Sequence, residues 1–248
     1  MRLFGLIGFP LGHSRSAEYF NARFLRDGIR DAQYRLFPLE SINQLPGLIE
    51  SHPTLAGLNV TIPFKEQILP YLSTIDPVAL AIGAVNVIVI SREGGIPRLS
   101  GYNTDAPAFL DTLQELPEFT NALVLGTGGA AKSVGWALQK KGIPFKYVSR
   151  KPEGKVSLGY DNLSQTPGIF DGPTLVVNAT PVGMFPDTES CPQFPYHLLS
   201  KRDLLCDLVY NPVRTRFLEQ GAAFGTATMN GEEMFLRQAA LGYSLFLR

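Results

Sequence analysis

The chain has 248 residues, with 22 Lys+Arg against 22 Asp+Glu and a formal net charge of zero. Hydrophobic residues make up 45% and charged residues 18%, enough apolar matter for a sizeable core and far from a disordered composition. The zero balance removes the electrostatic case for general nucleic-acid or anionic-membrane binding, and Cys191 and Cys206 alone cannot build a disulfide framework or a Cys-based zinc site.

Short β-rich runs alternate with helical patterns almost throughout, which points to an α/β fold with a mainly parallel sheet. Residues 3–9 predict a strand. Ala17, Phe20, Phe24 and Leu25 then recur at helical spacing, with Gly28 as a stop. A strand over 33–37 precedes a helix marked by Ile42, Leu45, Leu48 and Ile49. A strand over 58–62 ends at Pro63, and Ile75, Val78, Ala79 and Ile82 mark a further helix before a strand over 84–90. The longest apolar stretch, 79–90, carries Asn86 and is too short to span a bilayer. The turn-rich residues 92–97 read as a hairpin tip, and Phe109, Leu110 and Leu113 mark a helix able to link two domains. A second strand-helix-strand pattern covers 121–125, 130–141 and 145–149, followed by strands at 175–178 and 204–209. Met234, Leu236, Ala240, Tyr243 and Phe246 make the last segment helical.

The loop Gly126-Thr127-Gly128-Gly129-Ala130-Ala131 sits where a strand turns into a helix. Gly126 allows the tight turn, Gly128 lets a diphosphate approach the backbone, and Ala131 takes the third small position. The helix N-terminus there favours an anion. The same residues read G-x-x-x-x-A-K-S, but a P-loop needs glycine where Ala131 stands. The next strand ends in Ser149-Arg150-Lys151 instead of the acid that binds a ribose 2′-OH. Arg150 can pair with a 2′-phosphate through its planar fork, which favours NADP over NAD. Read alone, the same residues are a solvated basic turn.

Four polar clusters occupy the first half. Ser14 and Ser16 lie between a strand end and a helix start, where only one can be the N-cap. Asn59 and Thr61 are two apart, facing one side of a strand, with Lys65 after its end. Asn86 falls inside an apolar strand, where it needs a hydrogen bond, structural or to a ligand. Asn103-Thr104-Asp105 stands at the presumed domain junction, as a helix cap or facing a ligand.

Taken in order, Gly8-x-Pro10-x-x-His13-Ser14-x-Ser16, Asn59-Val60-Thr61-x-Pro63-x-Lys65, Gly83-Ala84-Val85-Asn86, Asn103-Thr104-Asp105, the glycine loop, Asn178-Ala179-Thr180-Pro181-x-Gly183-Met184 and Gln238-Ala239 form a characteristic set. The chain resembles the shikimate dehydrogenase family over essentially its whole length. That resemblance implies a substrate domain at 1–103 completed by a C-terminal helix at 232–248, a Rossmann-like NADP domain at 104–231, and a cleft between them. It implies the NADPH-linked, reversible reduction of 3-dehydroshikimate to shikimate. Lys65 and Asp105 would be catalytic. Ser14, Ser16, Asn59, Thr61, Asn86, Tyr210 and Gln238 would bind substrate. Gly126, Thr127, Gly128, Gly129, Ala130, Ser149, Arg150, Leu208 and Gly231 would bind NADP. The implied partner is a small molecule, with no nucleic acid, membrane or metal, in a cytoplasmic monomer or homodimer.

Three departures from the family pattern stand out. Pro77 replaces a common acidic residue, Glu233 replaces a glycine near the nicotinamide end, and Ser149 replaces an asparagine. An NAD-linked quinate/shikimate dehydrogenase is the nearest alternative. Ser16, where a bulkier threonine is expected of quinate-preferring relatives, and Arg150 both argue against it. A non-catalytic binding relative would not need both Lys65 and Asp105.

Overall fold

A computed structural model describes residues 1–12, 14–152, 157–166 and 168–248; His13 of the first motif lies outside them. The chain divides into two units, residues 1–104 with 238–248, and residues 105–237.

The first unit holds β1 (Arg2–Gly8), α1 (Ser16–Arg26), β2 (Ala32–Pro38), α2 (Leu45–Ser51), β3 (Leu55–Val60), β4 (Thr74–Ile75), α3 (Pro77–Ile82), β5 (Val87–Glu93) and β6 (Ile96–Tyr102). They form one sheet in the order β2-β1-β3-β5-β6-β4. The strands β2, β1 and β3 run parallel, as the βα alternation predicts. The β5–β6 pair is antiparallel, so this sheet is mixed. The cause is local: Gly94-Gly95, with φ of +61° and +86°, makes a two-residue hairpin turn. Two apolar layers cover the sheet. Leu3, Ile7, Leu58, Val60 and Ile88 pack with Leu45, Ile49 and Phe64 on one face. Phe4, Leu6 and Val87 pack with Phe20, Phe24, Tyr243 and Phe246 on the other.

The second unit holds α4 (Asp105–Gln114), β7 (Asn121–Leu125), α5 (Gly129–Lys141), β8 (Phe145–Ser149), β9 (Ser157–Gly159), β10 (Thr174–Asn178), β11 (Leu204–Asp207), α6 (Arg216–Ala223) and β12 (Ala227–Met229). Its sheet, β12-β11-β10-β7-β8-β9, is parallel at every pairing. Alternate residues of β7 serve opposite faces. Ala122 and Val124 pack with α4 and α5 through Phe109, Val134 and Leu138. Leu123 and Leu125 pack on the side of Phe217 and Leu218 in α6. The helix α7 (Glu232–Phe246) begins in this unit, and its residues from Gln238 onward belong to the first.

Candidate active site

The polar residues of the first unit gather at the carboxyl ends of β1 and β3. The Thr61 N–H donates to the Ile7 carbonyl at 2.9 Å, and the Val60 N–H to the Asn86 carbonyl at 2.8 Å. The Lys65 carbonyl accepts from the Val85 N–H at 2.8 Å, which brings the Lys65 segment beside Asn86. Thr61 therefore lies past the end of β3, not within it, and Asn86 stands just before β5. The chain leaves β3 at Thr61 and enters β5 after Asn86, and Lys65 between them is half-buried.

The hydrogen bonds of Asn86 define its local role. Its Oδ1 accepts from the Thr104 N–H at 2.7 Å, and its Nδ2 donates to Thr104 Oγ1 at 2.8 Å. The same Nδ2 lies 3.4 Å from Gln238 Oε1, so two residues far apart in sequence meet. Asn59 is buried behind them. It accepts from the Tyr34 hydroxyl at 2.7 Å and donates to the Asn86 carbonyl at 3.4 Å. Asp105 opens α4 and is buried. The serine pair departs from the capping expectation: Arg15 is the N-cap residue of α1, and no side chain caps it. Instead Ser14 Oγ accepts from the Ser16 N–H at 3.3 Å, and Ser16 is the first helical residue.

In the second unit the glycine loop joins β7 to α5 as the spacing predicts. Gly126 takes φ of +111°, and a Cβ there would lie 3.1 Å from Thr180 and 3.3 Å from the Ala179 carbonyl. Gly128 is the N-cap of α5, with no side-chain cap, and a Cβ on it would meet nothing within 4 Å. Open space in front of uncapped helix N–H groups is what a diphosphate requires. Ala131 is fully buried in the core below. Ser149 holds the next turn, with its Oγ accepting from the Lys151 N–H at 3.1 Å, and leaves Arg150 exposed at the end of β8. These residues fit the NADP that the motif implies. Leu208 and Gly231 are adjacent: a Cβ on Gly231 would strike the Leu208 backbone. Tyr210 packs on Phe235, with ring centroids 4.7 Å apart and the rings tilted by 31°.

The sequence reading assigned no role to Asn178 or Asp207, which are fully buried at the ends of β10 and β11. The signal was present, because each is a polar residue closing an apolar strand. Burial pushes the Asp207 carboxyl up to about 6, against the pull of its hydrogen bonds from Thr215, Val209 and Asn178. Among the described residues no group of His, Cys, Asp and Glu could hold a metal ion. No helix among them is long and apolar enough to cross a membrane.

A family model described as the shikimate dehydrogenase substrate binding domain matches residues 6–88. The shikimate dehydrogenase (NADP(+)) of Syntrophomonas wolfei is 37% identical over 264 residues, covering 99% of this chain and 89% of that one. The chain belongs to the shikimate dehydrogenase family. Family structures share its fold. Shikimate 5-dehydrogenase from Thermus thermophilus, in complex with NADP(H) and shikimate, matches with a TM-score of 0.83 and 32% identity, over 99% of this chain and 93% of that one. Quinate dehydrogenase from Corynebacterium glutamicum, in complex with NAD, matches with a TM-score of 0.82 and 28% identity, again over 99% and 93%. The expected α/β class and family are therefore correct.

Two departures from the shikimate dehydrogenase pattern have local explanations. Glu233 accepts from Arg237 Nε at 2.9 Å, one turn along α7, and Arg237 also reaches Glu115 at 2.6 Å. Its carboxylate is thus taken up by an ion-pair network. Pro77 is the first residue of α3, where its missing N–H costs nothing, and Asp76 caps that helix through the Val78 N–H at 2.9 Å.

Proposed function

We propose that the chain is an NADP-dependent shikimate dehydrogenase that reversibly reduces 3-dehydroshikimate to shikimate. One observation carries the reading: nearly full-length likeness to an enzyme crystallised with NADP(H) and shikimate. The glycine loop with Arg150 after β8 supports the cofactor, and the polar cluster at the ends of β1 and β3 supports the substrate. Residues 1–104 with 238–248 would supply most of the substrate contacts, and residues 105–237 would bind the cofactor. The reading is of a cytoplasmic monomer or homodimer, and two free thiols suit a reducing compartment.

Gly126, Thr127, Gly128, Gly129 and Ala130 would hold the diphosphate, Ser149 and Arg150 the 2′-phosphate, and Leu208 and Gly231 the nicotinamide end. When bound, NADPH supplies the hydride that reduces the ketone carbon. Ser14 and Ser16 then orient the substrate by donating to its carboxylate. Thr61, Asn86 and Gln238 take ring hydroxyls, with Asn59 supporting Asn86 from behind, and Tyr210 lines the pocket. Lys65, as an ammonium, stabilises the negative charge that grows on the ketone oxygen and donates a proton to it. Asp105 accepts from a ring hydroxyl. In the reverse direction Lys65 accepts the proton. Proton transfer by a positioned side chain is worth about 10²–10⁴-fold in rate.

The NAD-bound quinate dehydrogenase neighbour makes quinate oxidation the second reading. Ser16 and Arg150 weigh against it. Calorimetric titration separates the two: this reading expects NADP⁺ to bind more tightly than NAD⁺ and shikimate more tightly than quinate. The opposite order for both would defeat it.

A further inference from the structure

The side chains of Asn178 and Asp207 meet below the surface. Asn178 Nδ2 donates to Asp207 Oδ1 at 2.9 Å. The rest of each side chain is committed to loop residues. Asn178 Oδ1 accepts from the Thr180 N–H at 3.1 Å and from its hydroxyl at 2.6 Å, and Nδ2 also donates to the Val182 carbonyl at 3.2 Å. Asp207 accepts from the Val209 N–H at 3.0 Å and from the Thr215 hydroxyl at 2.6 Å. This side-chain hydrogen bond joins the loop leaving β10 to the loop leaving β11, beside backbone bonds from the Leu208 N–H to the Asn178 carbonyl at 3.0 Å and from the Phe185 N–H to the Asn211 carbonyl at 3.2 Å.

Topology says what belongs above these loops. The strand order reverses at β7, with β8 and β9 on one side and β10, β11 and β12 on the other. A dinucleotide lies across such a switch point with one half over each side. The diphosphate belongs at the β7–α5 loop, and Arg150 draws the phosphorylated ribose over β8. The nicotinamide half therefore falls over the ends of β10 and β11. There Gly231 lies against the Leu208 backbone, and its N–H donates to the Val209 carbonyl at 3.3 Å.

A buried carboxylate among neutral donors is a costly choice for packing alone, since an apolar residue of similar size is often as stable or more so. What the carboxylate supplies is acceptor capacity for donors from three different segments. From this geometry we infer that Asn178 and Asp207 are positioning residues for the nicotinamide half of the cofactor. Their hydrogen bond and those each makes to its own loop add to the backbone link between Leu208 and Asn178 in fixing segments 180–182 and 208–210. The inference rests on the NADP reading above.

The test is a binding titration of the wild type, Asp207→Asn and Asn178→Ser with NADPH and with 2′,5′-ADP, which lacks the nicotinamide half. Both variants should bind 2′,5′-ADP within about twofold of the wild type and NADPH about tenfold more weakly. Their kcat should fall about 100-fold, the scale of a 1 Å misplacement at a reacting centre. Equal losses on both ligands, or none on either, would overturn the inference. If Asp207→Asn does not fold, Asn178→Ser carries the same expectation. If neither folds, the pair is scaffold only and the inference fails. A wild type that binds neither dinucleotide would instead defeat the NADP reading itself.

Discussion

The Tyr243 hydroxyl donates to the Asp27 carboxylate at 2.8 Å, which fastens the last helix to the C-cap of the first. Arg23 completes the clasp, with its guanidinium 4.8 Å from the Tyr243 ring centroid and 2.9 Å from Asp27. Beneath it Phe246 packs on Phe4, at 4.8 Å between centroids, and on Phe20, at 5.7 Å. The end of α7 is thus core material of the first unit. Phe246→Ala should destabilise that unit by about 3–5 kcal/mol, the usual cost of emptying an aromatic core site. Urea denaturation checks this, and an unchanged midpoint would remove α7 from the core.

Lys65 is assigned the proton transfer. Lys65→Met should lower kcat about 10²–10⁴-fold while KM for shikimate moves only a few-fold. Steady-state kinetics separates the two. A large rise in KM with kcat intact would make Lys65 a binding residue.

Arg150 stands exposed after β8, where an NAD enzyme of this fold carries an acid. Arg150→Ala should weaken NADP⁺ about tenfold or more and leave NAD⁺ nearly unchanged, because only NADP⁺ has the 2′-phosphate it pairs with. Equal losses in titration would refute that role.

Gly231 leaves no room for a side chain, since a Cβ would overlap the Leu208 carbonyl. Gly231→Ala should push Leu208 aside, with a stability loss of about 1–3 kcal/mol from overpacking and weaker NADPH binding. A variant with wild-type stability and affinity would show that the backbone contact is unimportant.

Asp207 gives a pH signature. Burial raises its carboxyl to about 6, opposed by hydrogen bonds from Thr215, Val209 and Asn178, with Cys206 and Tyr196 close enough to feel its charge. A carboxyl with a raised folded value contributes stability that is complete below its unfolded value, near 4, and lost as pH rises through about 6. The stability of the wild type relative to Asp207→Asn should therefore increase as pH falls from about 7 to about 4. Paired denaturation midpoints test this, and a pH-independent difference would contradict it.

Sequence periodicity located β7 and β8 to the residue: β7 is buried from Ala122 to Leu125 and reads as an apolar run, and β8, with only Val148 buried, is bounded by Gly142 and Pro144 before it and Arg150 after it. It missed β12 (Ala227–Met229) and α6 (Arg216–Ala223), one a short edge strand and the other a helix dependent on packing against β11. The glycine loop was legible because Gly126 answers to a local backbone need. Asn86 was legible as a buried polar residue, but its partners Thr104 and Gln238 were not, since they come from distant segments. The same holds for Asn178 and Asp207, whose meeting depends on β10 and β11 pairing in register.

The central claim is tested most directly at the NADPH absorbance band, with the purified chain given shikimate or quinate, each with NADP⁺ or NAD⁺. The account predicts turnover that is fastest with shikimate and NADP⁺. No turnover with any pair, or a preference for quinate with NAD⁺, would contradict it.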